Sequence, residues 1–290
     1  MRFAYHASMC APDQYIPLAR AVEAAGFDSF TFPDGICYPR QTSTKYPYND
    51  DGSREFLDGV PFIETFIAMA AAAAVTTRLR MTTSVVKLAI RQPLIVAKQL
   101  SSLAVLSNNR IALGVGLSPW PEDFAACQVP WEGRGKRMDE MLDIIRGLMS
   151  GEYFGYEGEI FQIDPLKICP VPTQPVPILI GGHAEVALKR AGRIGDGWIS
   201  AGTDLAGYIE FQRKINAYRA EFGRDKLPFE YHAMTRDAYS TDGVKRLEDI
   251  GVHESIVAFR DVYANAPDTS LEHKLGEINW YAENVIAKSR

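Results

Sequence analysis

This chain of 290 residues contains few cysteines, and its few histidines form no metal-binding motif. The four cysteines, at positions 10, 37, 127 and 169, are widely spaced and form no CxxC pair. We therefore expect free thiols in a reducing compartment. The five histidines form no HxH or HExxH pattern, so a metal-dependent hydrolase is disfavoured and no metal site is predicted.

Several motifs and biased segments are missing as well. There is no Walker A, no GxSxG, and the run GVGLSP at 114–119 lacks the third glycine of a Rossmann fingerprint. The 31 basic and 36 acidic residues are mixed, with a net charge of −5, so no nucleic-acid partner is expected. The longest apolar run, 68–75, is too short to span a bilayer, and the N-terminus lacks signal-peptide architecture. We predict no membrane partner and a cytoplasmic location.

What the sequence does contain is a regular alternation of strands and helices. In the stretch 78–120, a strand from Leu79 to Lys87 precedes a helix that begins at Pro93, and a second strand runs from Arg110 to Gly116. Asn108 and Asn109 are expected to end that helix, because asparagine tolerates the left-handed conformation. A strand, helix and strand in this order predict a parallel βαβ unit.

Eight such strands are predicted along the chain, without a repeat or a linker. This pattern favours an α/β protein, a single (β/α)8 TIM barrel with insertions in the strand-to-helix loops, over an open doubly wound sheet. We predict one domain, 1–290. Asp13 and Asp204 are expected to cap helices, and residues 152–164 to form a small hairpin. Two long loops, 36–60 and 116–133, are expected to bind ligands or cover them.

The glycines after the fifth predicted strand are the strongest candidate site. Gly181 and Gly182 allow close backbone approach, and the helix that follows His183 offers unpaired amides at the positive end of its dipole. This combination is typical of a phosphate cradle, although a tight turn that merely needs glycine is an equal alternative from the residues alone.

Other strand ends carry weaker signals. Thr82, Thr83 and Ser84 interrupt an apolar run, which indicates either ligand contacts or hydroxyl bonds to neighbouring backbone. Gly114, Gly116 and Pro119 leave room for a flat ring or simply begin a loop. Glu122 and Asp123 are interpreted as a solvated helix start rather than an acid–base pair. His6 is either a proton donor at neutral pH or a buried structural histidine.

Taken in order, three segments resemble the bacterial luciferase-like superfamily of flavin and deazaflavin barrels. They are TSVVKLAIRQPLIVAKQLSSLAVLSNNRIALGVG, GRGKRMDEMLDIIRGLMSGEYFGYEGEIFQI and PVPTQPVPILIGGHAEVALKRAGRIGDGW. The resemblance implies FMN or coenzyme F-420, an 8-hydroxy-5-deazaflavin, at the C-terminal mouth of the barrel. It further implies a non-prolyl cis peptide at Ser84-Val85 behind the ring, and cofactor phosphate on Gly181, Gly182 and His183.

Within that superfamily the TTSVV and GDGW segments are closer to the F-420-dependent branch. The implied activity is hydride transfer between F-420 and a small organic substrate, with Thr83, Ser84, Val85 and Gly116 also at the cofactor. The alternatives are an FMN-dependent monooxygenase that uses O2 and flavin reduced by a separate reductase, and a catalytically silent flavin-binding protein. Resemblance also suggests a homodimer.

One departure from the family pattern affects the catalytic residues. Many relatives carry an acidic residue followed by histidine at the end of the second strand, whereas this chain has Asp34-Gly35. Because that histidine is missing, we expect His6 or Asp34 to perform any proton transfer, unless a different residue does.

Overall fold

The computed structural model describes residues 1–42, 44–49, 51–261 and 267–290. Its main sheet is a closed barrel of parallel strands, accompanied by one antiparallel hairpin. In chain order the strands are β1 Arg2–His6, β2 Ser29–Phe32, β3 Arg80–Thr83, β4 Val86–Lys87, β5 Ile111–Gly116, β6 Phe154–Glu157, β7 Gln162–Leu166, β8 Ile178–Gly181, β9 Gly197–Ile199, β10 Glu230–Ala233 and β11 Glu254–Val257.

The barrel has eight strand positions. The spatial order is β3–β2–β1–β11–β10–β9–β8–β5, and β5 pairs back to β3. The short β4 continues β3 beyond Ser84 and Val85, and it also pairs with β5. β6 and β7 form the predicted hairpin, with Tyr156 opposite Ile163. The predicted (β/α)8 barrel is confirmed.

Helices separate the barrel strands and cover the outside. They are α1 Tyr15–Ala24, α2 Thr65–Val75, α3 Pro93–Leu106, α4 Pro121–Ala126, α5 Arg134–Leu148, α6 Glu185–Ile194, α7 Leu205–Glu221, α8 Thr241–Asp249, α9 Leu271–Tyr281 and α10 Ala287–Ser289. Within the described ranges no helix is long and apolar enough to cross a bilayer.

The predicted helix boundaries are confirmed in most places and wrong in two. Asp204 accepts a hydrogen bond from the Gly207 amide at 2.8 Å and so caps α7, and Asn108 and Asn109 have φ of 55° and 60° after α3. Asp13, however, lies in a 3-10 turn that precedes α1, which begins without a side-chain cap. The predicted loop 116–133 contains α4, because Pro121 occupies a first-turn position where its missing amide costs nothing.

The barrel interior is unexpectedly charged at the N-terminal ends of the strands. Five residues that point inward there form what we call the floor cluster: Arg2, Arg80, Glu230, His232 and Glu254. The guanidinium groups of Arg2 and Arg80 both donate to one Glu230 oxygen, at 2.7 and 2.9 Å. A thin apolar layer lies above it, consisting of Ala4, Ala112, Leu179, Ile199 and Ile256. These two layers close the bottom of the barrel and leave its opposite end open.

Candidate cofactor and substrate cavity

A cavity of about 790 Å³ opens at the C-terminal ends of the barrel strands. Each segment that the sequence places at this end contributes to its lining, from His6 and Met9 after β1 to Ala201 after β9. The described parts of the two long loops form much of its wall, as predicted; Ser43 and Asp50 of the first loop lie outside the described residues. This volume falls in the range of small-molecule and cofactor sites.

The peptide bond between Ser84 and Val85 is cis, as predicted. It lies between β3 and β4, and both residues line the cavity. A Cβ atom on Gly116 or Gly181 would lie 2.8 Å from a methyl carbon of Val85, so both glycines make room for this side chain. Val85 therefore forms a raised apolar surface on the cavity floor, and a cofactor role for the two glycines stays a prediction.

The turn between β8 and α6 has the features of an anion cradle. Gly182 has a φ of +108°, a conformation that L side chains rarely adopt. Its carbonyl is held from behind by the buried Trp198, whose indole nitrogen donates to it at 3.0 Å. Among the residues that the structure describes, no side chain caps α6. The Ala187 amide donates to the Ala184 carbonyl at 2.8 Å, so the Glu185 and Val186 amides of the first turn are the ones available to a ligand.

His183 completes this turn as a neutral imidazole. The Ala201 amide donates to its Nε2 at 3.1 Å, so the ring proton resides on Nδ1, and burial lowers the pKa of His183. The ring stacks on Phe211, with centroids 4.6 Å apart. A neutral histidine in this position can donate one hydrogen bond from Nδ1 to a phosphate oxygen.

Two further residues that line the cavity were not predicted from the sequence. Tyr48, from the long loop after β2, meets the His183 ring edge-on at 5.6 Å, and its hydroxyl would lie 3.7 Å from a Cβ at Gly182. Arg134 begins α5 and lies over the Trp131 ring at 3.5 Å. The glycines that mark the cradle in the sequence do not indicate Tyr48 or Arg134. The positions of these two residues depend on how loops distant in the chain fold over the barrel mouth.

His6 is buried and lines the cavity, but it is not a charged acid. Its Nδ1 lies 2.8 Å from the Thr31 hydroxyl, and burial lowers the pKa of His6 to about 4. The imidazole is therefore neutral at pH 7. An imidazolium here would lack the solvation that it requires, which disfavours His6 as a charged acid; its catalytic role stays a prediction.

Asp34 accepts hydrogen bonds from several protein groups, and its predicted catalytic role stays a prediction. The Arg91 guanidinium donates to both carboxylate oxygens at 2.9 Å, while the Lys87 amide and the Thr65 hydroxyl donate at 2.8 and 3.1 Å. Its side chain is only 1% exposed. Because four donors occupy the carboxylate, it does not fit an acid–base role; it anchors the backbone at Lys87.

Thr83 does not face the cavity. Its hydroxyl donates to the Gly114 carbonyl at 2.6 Å and is fully buried. The alternative of a hydroxyl bond to neighbouring backbone is confirmed, and a cofactor contact at Thr83 stays a prediction.

Lys87 and Asp123 form an ion pair at the cavity wall. This pair was not predicted for the segment with Glu122 and Asp123. Asp123 is fully buried, and Lys87 Nζ lies 2.6 Å from its Oδ2. The Ser118 hydroxyl donates to the same oxygen at 2.5 Å, and the Cys37 thiol lies 3.4 Å from the other. The expected solvated helix start is thus wrong for Asp123. A lysine within the apolar run SVVKLAI could have indicated this pair, because a charged residue in a buried segment needs a partner of opposite charge.

Aromatic side chains join the two long loops over the cavity. Tyr46 stacks on Trp120 with centroids 6.0 Å apart, and it meets Phe56 edge-on at 5.2 Å. Tyr46 and Trp120 line the cavity. This wall can exclude water from one side of a bound ring.

Taken together, the residues fit a phosphorylated flat-ring cofactor. The cradle at Gly182 and α6 supplies donors for an anion, Val85 supplies an apolar floor, and the aromatic wall faces it.

The chain matches the family model for luciferase-like monooxygenases over residues 3–269. An uncharacterized protein of Mycobacterium tuberculosis is 52% identical over 289 residues, which is 99% of this chain and 100% of that protein.

Two further kinds of relative are informative. An F-420-dependent glucose-6-phosphate dehydrogenase of Nakamurella multipartita is 32% identical over 213 residues, 69% of this chain and 56% of that protein. Among solved structures, a monooxygenase of Streptomyces bottropensis has a TM-score of 0.77 at 15% identity, with both chains fully covered. The F-420-dependent tetrahydromethanopterin reductase of Methanopyrus kandleri has a TM-score of 0.76 at 15% identity, covering 100% of this chain and 99% of that one. These structural likenesses support the barrel fold.

Proposed function

The chain belongs to the luciferase-like monooxygenase family, and from that premise we propose that it is an F-420-dependent oxidoreductase. Membership makes it a flavin- or deazaflavin-dependent oxidoreductase. The proposal adds that the cofactor is F-420 and that a hydride moves between it and a small organic substrate. The single domain 1–290, the cytoplasmic location and the homodimer stay predictions.

The observation that carries the choice of cofactor is the charge on the cavity wall. Arg54 and Arg134 both line the cavity, and neither has a carboxylate partner among residues 1–42, 44–49, 51–261 and 267–290. Arg54 donates to the Pro39 carbonyl at 2.6 Å and lies over the Tyr38 ring. Two such guanidinium groups on the cavity wall, in addition to the cradle, suit an anion with charges beyond a single phosphate.

F-420 carries such charges, because an oligoglutamate tail follows its phosphate. FMN ends at one phosphate, which would engage the cradle at Gly182 and leave both arginines without an anionic partner. The FMN monooxygenase alternative is therefore less well supported by this cavity.

Each group of the chain has a distinct part in this proposal. When bound, reduced F-420 supplies a hydride from the central carbon of its ring. The first turn of α6, Gly182 and His183 hold the phosphate, while Val85 supports the ring from behind. Tyr46 and Trp120 keep water from the reacting face, and Arg54 and Arg134 attract the tail.

A double substitution, Arg54→Gln with Arg134→Gln, tests the choice of cofactor. We expect the dissociation constant for F-420, measured by fluorescence quenching, to rise at least about tenfold, since each lost charge-assisted contact contributes roughly 1 kcal/mol or more. The constant for FMN should change less than about threefold. The wild-type affinity for F-420 should also weaken with salt.

The matched control is Arg20→Gln with Arg213→Gln, which removes the same charge from exposed helical positions. It should leave both constants unchanged. Equal weakening of FMN and F-420 by the cavity variant would argue against a tail on these arginines.

A further inference from the structure

We propose that Lys87, held by Asp123, is the group that binds and protonates the substrate oxygen, and that the substrate is an uncharged carbonyl compound or the corresponding alcohol. This inference rests on the proposed function, because the carbonyl carbon needs a hydride from reduced F-420. It names a candidate proton donor for this chain, in which Gly35 replaces the histidine that many relatives carry.

His6 and Asp34, the residues first expected to transfer protons, fit that role poorly. His6 is neutral because its pKa is about 4, and all four hydrogen bonds of Asp34 are to its own protein. Lys87 is different: its side chain is 15% exposed and lines the cavity. It carries a proton-bearing cation at the barrel mouth, two residues beyond Val85.

Lys87 is fixed at both of its ends. Its backbone amide donates to Asp34 Oδ2 at 2.8 Å, and its ammonium lies 2.6 Å from Asp123 Oδ2. Ser118 donates to that same oxygen at 2.5 Å, which positions the carboxylate. An ammonium has three donors, and Asp123 is the one acceptor that the described residues provide. Two N–H groups therefore remain for a ligand in the cavity.

The charge of this pair indicates the substrate class. Lys87 and Asp123 together are neutral, and so are Asp34 and Arg91. An anionic substrate would place an uncompensated charge beside the buried Asp123 carboxylate, which is costly in a poorly solvated site. A carbonyl oxygen carries no net charge until the reaction begins, and then it accumulates negative charge beside the ammonium.

The step balances as a carbonyl reduction. The carbonyl carbon accepts a hydride, with its two electrons, from reduced F-420, so a C–H bond forms and the C=O π bond breaks. The π electrons form an O–H bond with a proton from the Lys87 ammonium. Lys87 then regains a proton from water, which would receive the ring N–H proton that reduced F-420 loses on oxidation. Alcohol oxidation is the same sequence in reverse.

Isotope-edited infrared spectroscopy tests the inference without relying on turnover. The probe is cyclohexanone labelled with ¹³C at the carbonyl, at saturating concentration, with and without F-420. We expect its bound carbonyl band to lie at lower wavenumber in the wild type and in Lys87→Arg, and to lose that shift in Lys87→Met. Lys136→Met, an exposed lysine on α5, is the matched control and should retain the shift.

Kinetics and cofactor binding provide the second readout. With cyclohexanone and reduced F-420, Lys87→Met should lower kcat about 100-fold or more, while the F-420 dissociation constant stays within about twofold of wild type. Lys87→Arg should recover binding of the ketone but little of the proton transfer, because the pKa of arginine is too high. If Lys87→Met does not fold, Lys87→Gln replaces it.

The outcomes separate the two proposals. A wild type that binds no F-420 but shifts the ketone band through Lys87 contradicts the proposed function and supports the Lys87 site. A wild type that binds F-420 while the band is the same in Lys87→Met as in wild type overturns the Lys87 inference alone. Absence of any bound ketone band at saturation also overturns it.

Discussion

Asp34→Asn is expected to lower the free energy of unfolding by about 3–5 kcal/mol, the usual result of breaking a buried ion pair from one side. The carboxylate is 1% exposed and holds Arg91 through two parallel hydrogen bonds. An asparagine amide in its place would direct a donor at the Arg91 guanidinium or the Lys87 amide. The surviving guanidinium, only 14% exposed, would keep the Glu64 carboxylate, 3.6 Å away and 38% exposed, as a much weaker counter-charge.

Urea denaturation at pH 7 measures this effect. Glu64→Gln is the matched control, because Glu64 lies 3.6 Å from the same guanidinium but is 38% exposed. Glutamine keeps the oxygen that caps α2, so a loss below about 1 kcal/mol is expected. Similar losses for the two variants would show that Asp34 is not the anchor that its hydrogen bonds indicate.

The second large effect is expected in the floor cluster. Glu254 is fully buried and accepts hydrogen bonds from Arg2 at 2.9 Å and from Ser29 at 2.7 Å, with His232 Nδ1 at 3.2 Å. Glu254→Gln removes the charge that compensates these cations. We expect a loss of about 3–5 kcal/mol of unfolding free energy at pH 6.

The pH dependence follows from opposite pKa shifts. Burial alone would raise the pKa of Glu230, but His232 and Arg80 outweigh it and lower that pKa to about 2; the pKa of Glu254 is lowered for similar reasons. These carboxylates stabilise the fold above about pH 4.5, and this contribution disappears as the pH falls towards 2.

His232 shows the opposite behaviour. Burial would lower its pKa, but Glu254 and Glu230 outweigh burial and raise it above 6.5. Its contribution is complete below pH 6.5 and is lost as the pH rises through the raised value. Unfolding free energies from pH 4 to 9 should therefore be highest between about 5 and 6.5, and Glu254→Gln should flatten both limbs. Glu210→Gln, on an exposed pair, should leave the profile unchanged; an unaltered profile in Glu254→Gln would contradict this account.

The parts of this structure that sequence reasoning predicted depend on short-range pattern. The strand from Leu79, the helix from Pro93 and the stop at Asn108 each follow from neighbouring residues, and eight such units admit few topologies. Parallel strands bring their C-terminal ends to one edge, so the cavity segments followed from the same pattern. The cis bond at Ser84 came from family resemblance.

The remaining features depend on partners distant in the chain. Lys87 and Asp123 are 36 positions apart, and Asp34 and Arg91 are 57; neither pair can be seen before the register of the strands is known. The same holds for Arg2 and Glu254, which meet only because β1 and β11 are neighbours in the closed barrel. The helix α4 was a different case, since Pro121 followed by two acidic residues is a recognisable start.

The most direct test of the central claim is hydride transfer in the absence of oxygen. Purified protein is mixed anaerobically with reduced F-420 and cyclohexanone, and the recovery of oxidised F-420 absorbance is compared with the cyclohexanol formed. We expect one alcohol per oxidised F-420, at a rate that oxygen does not raise, and no turnover with reduced FMN. Product that forms only with reduced FMN and oxygen, with none from F-420, would contradict it.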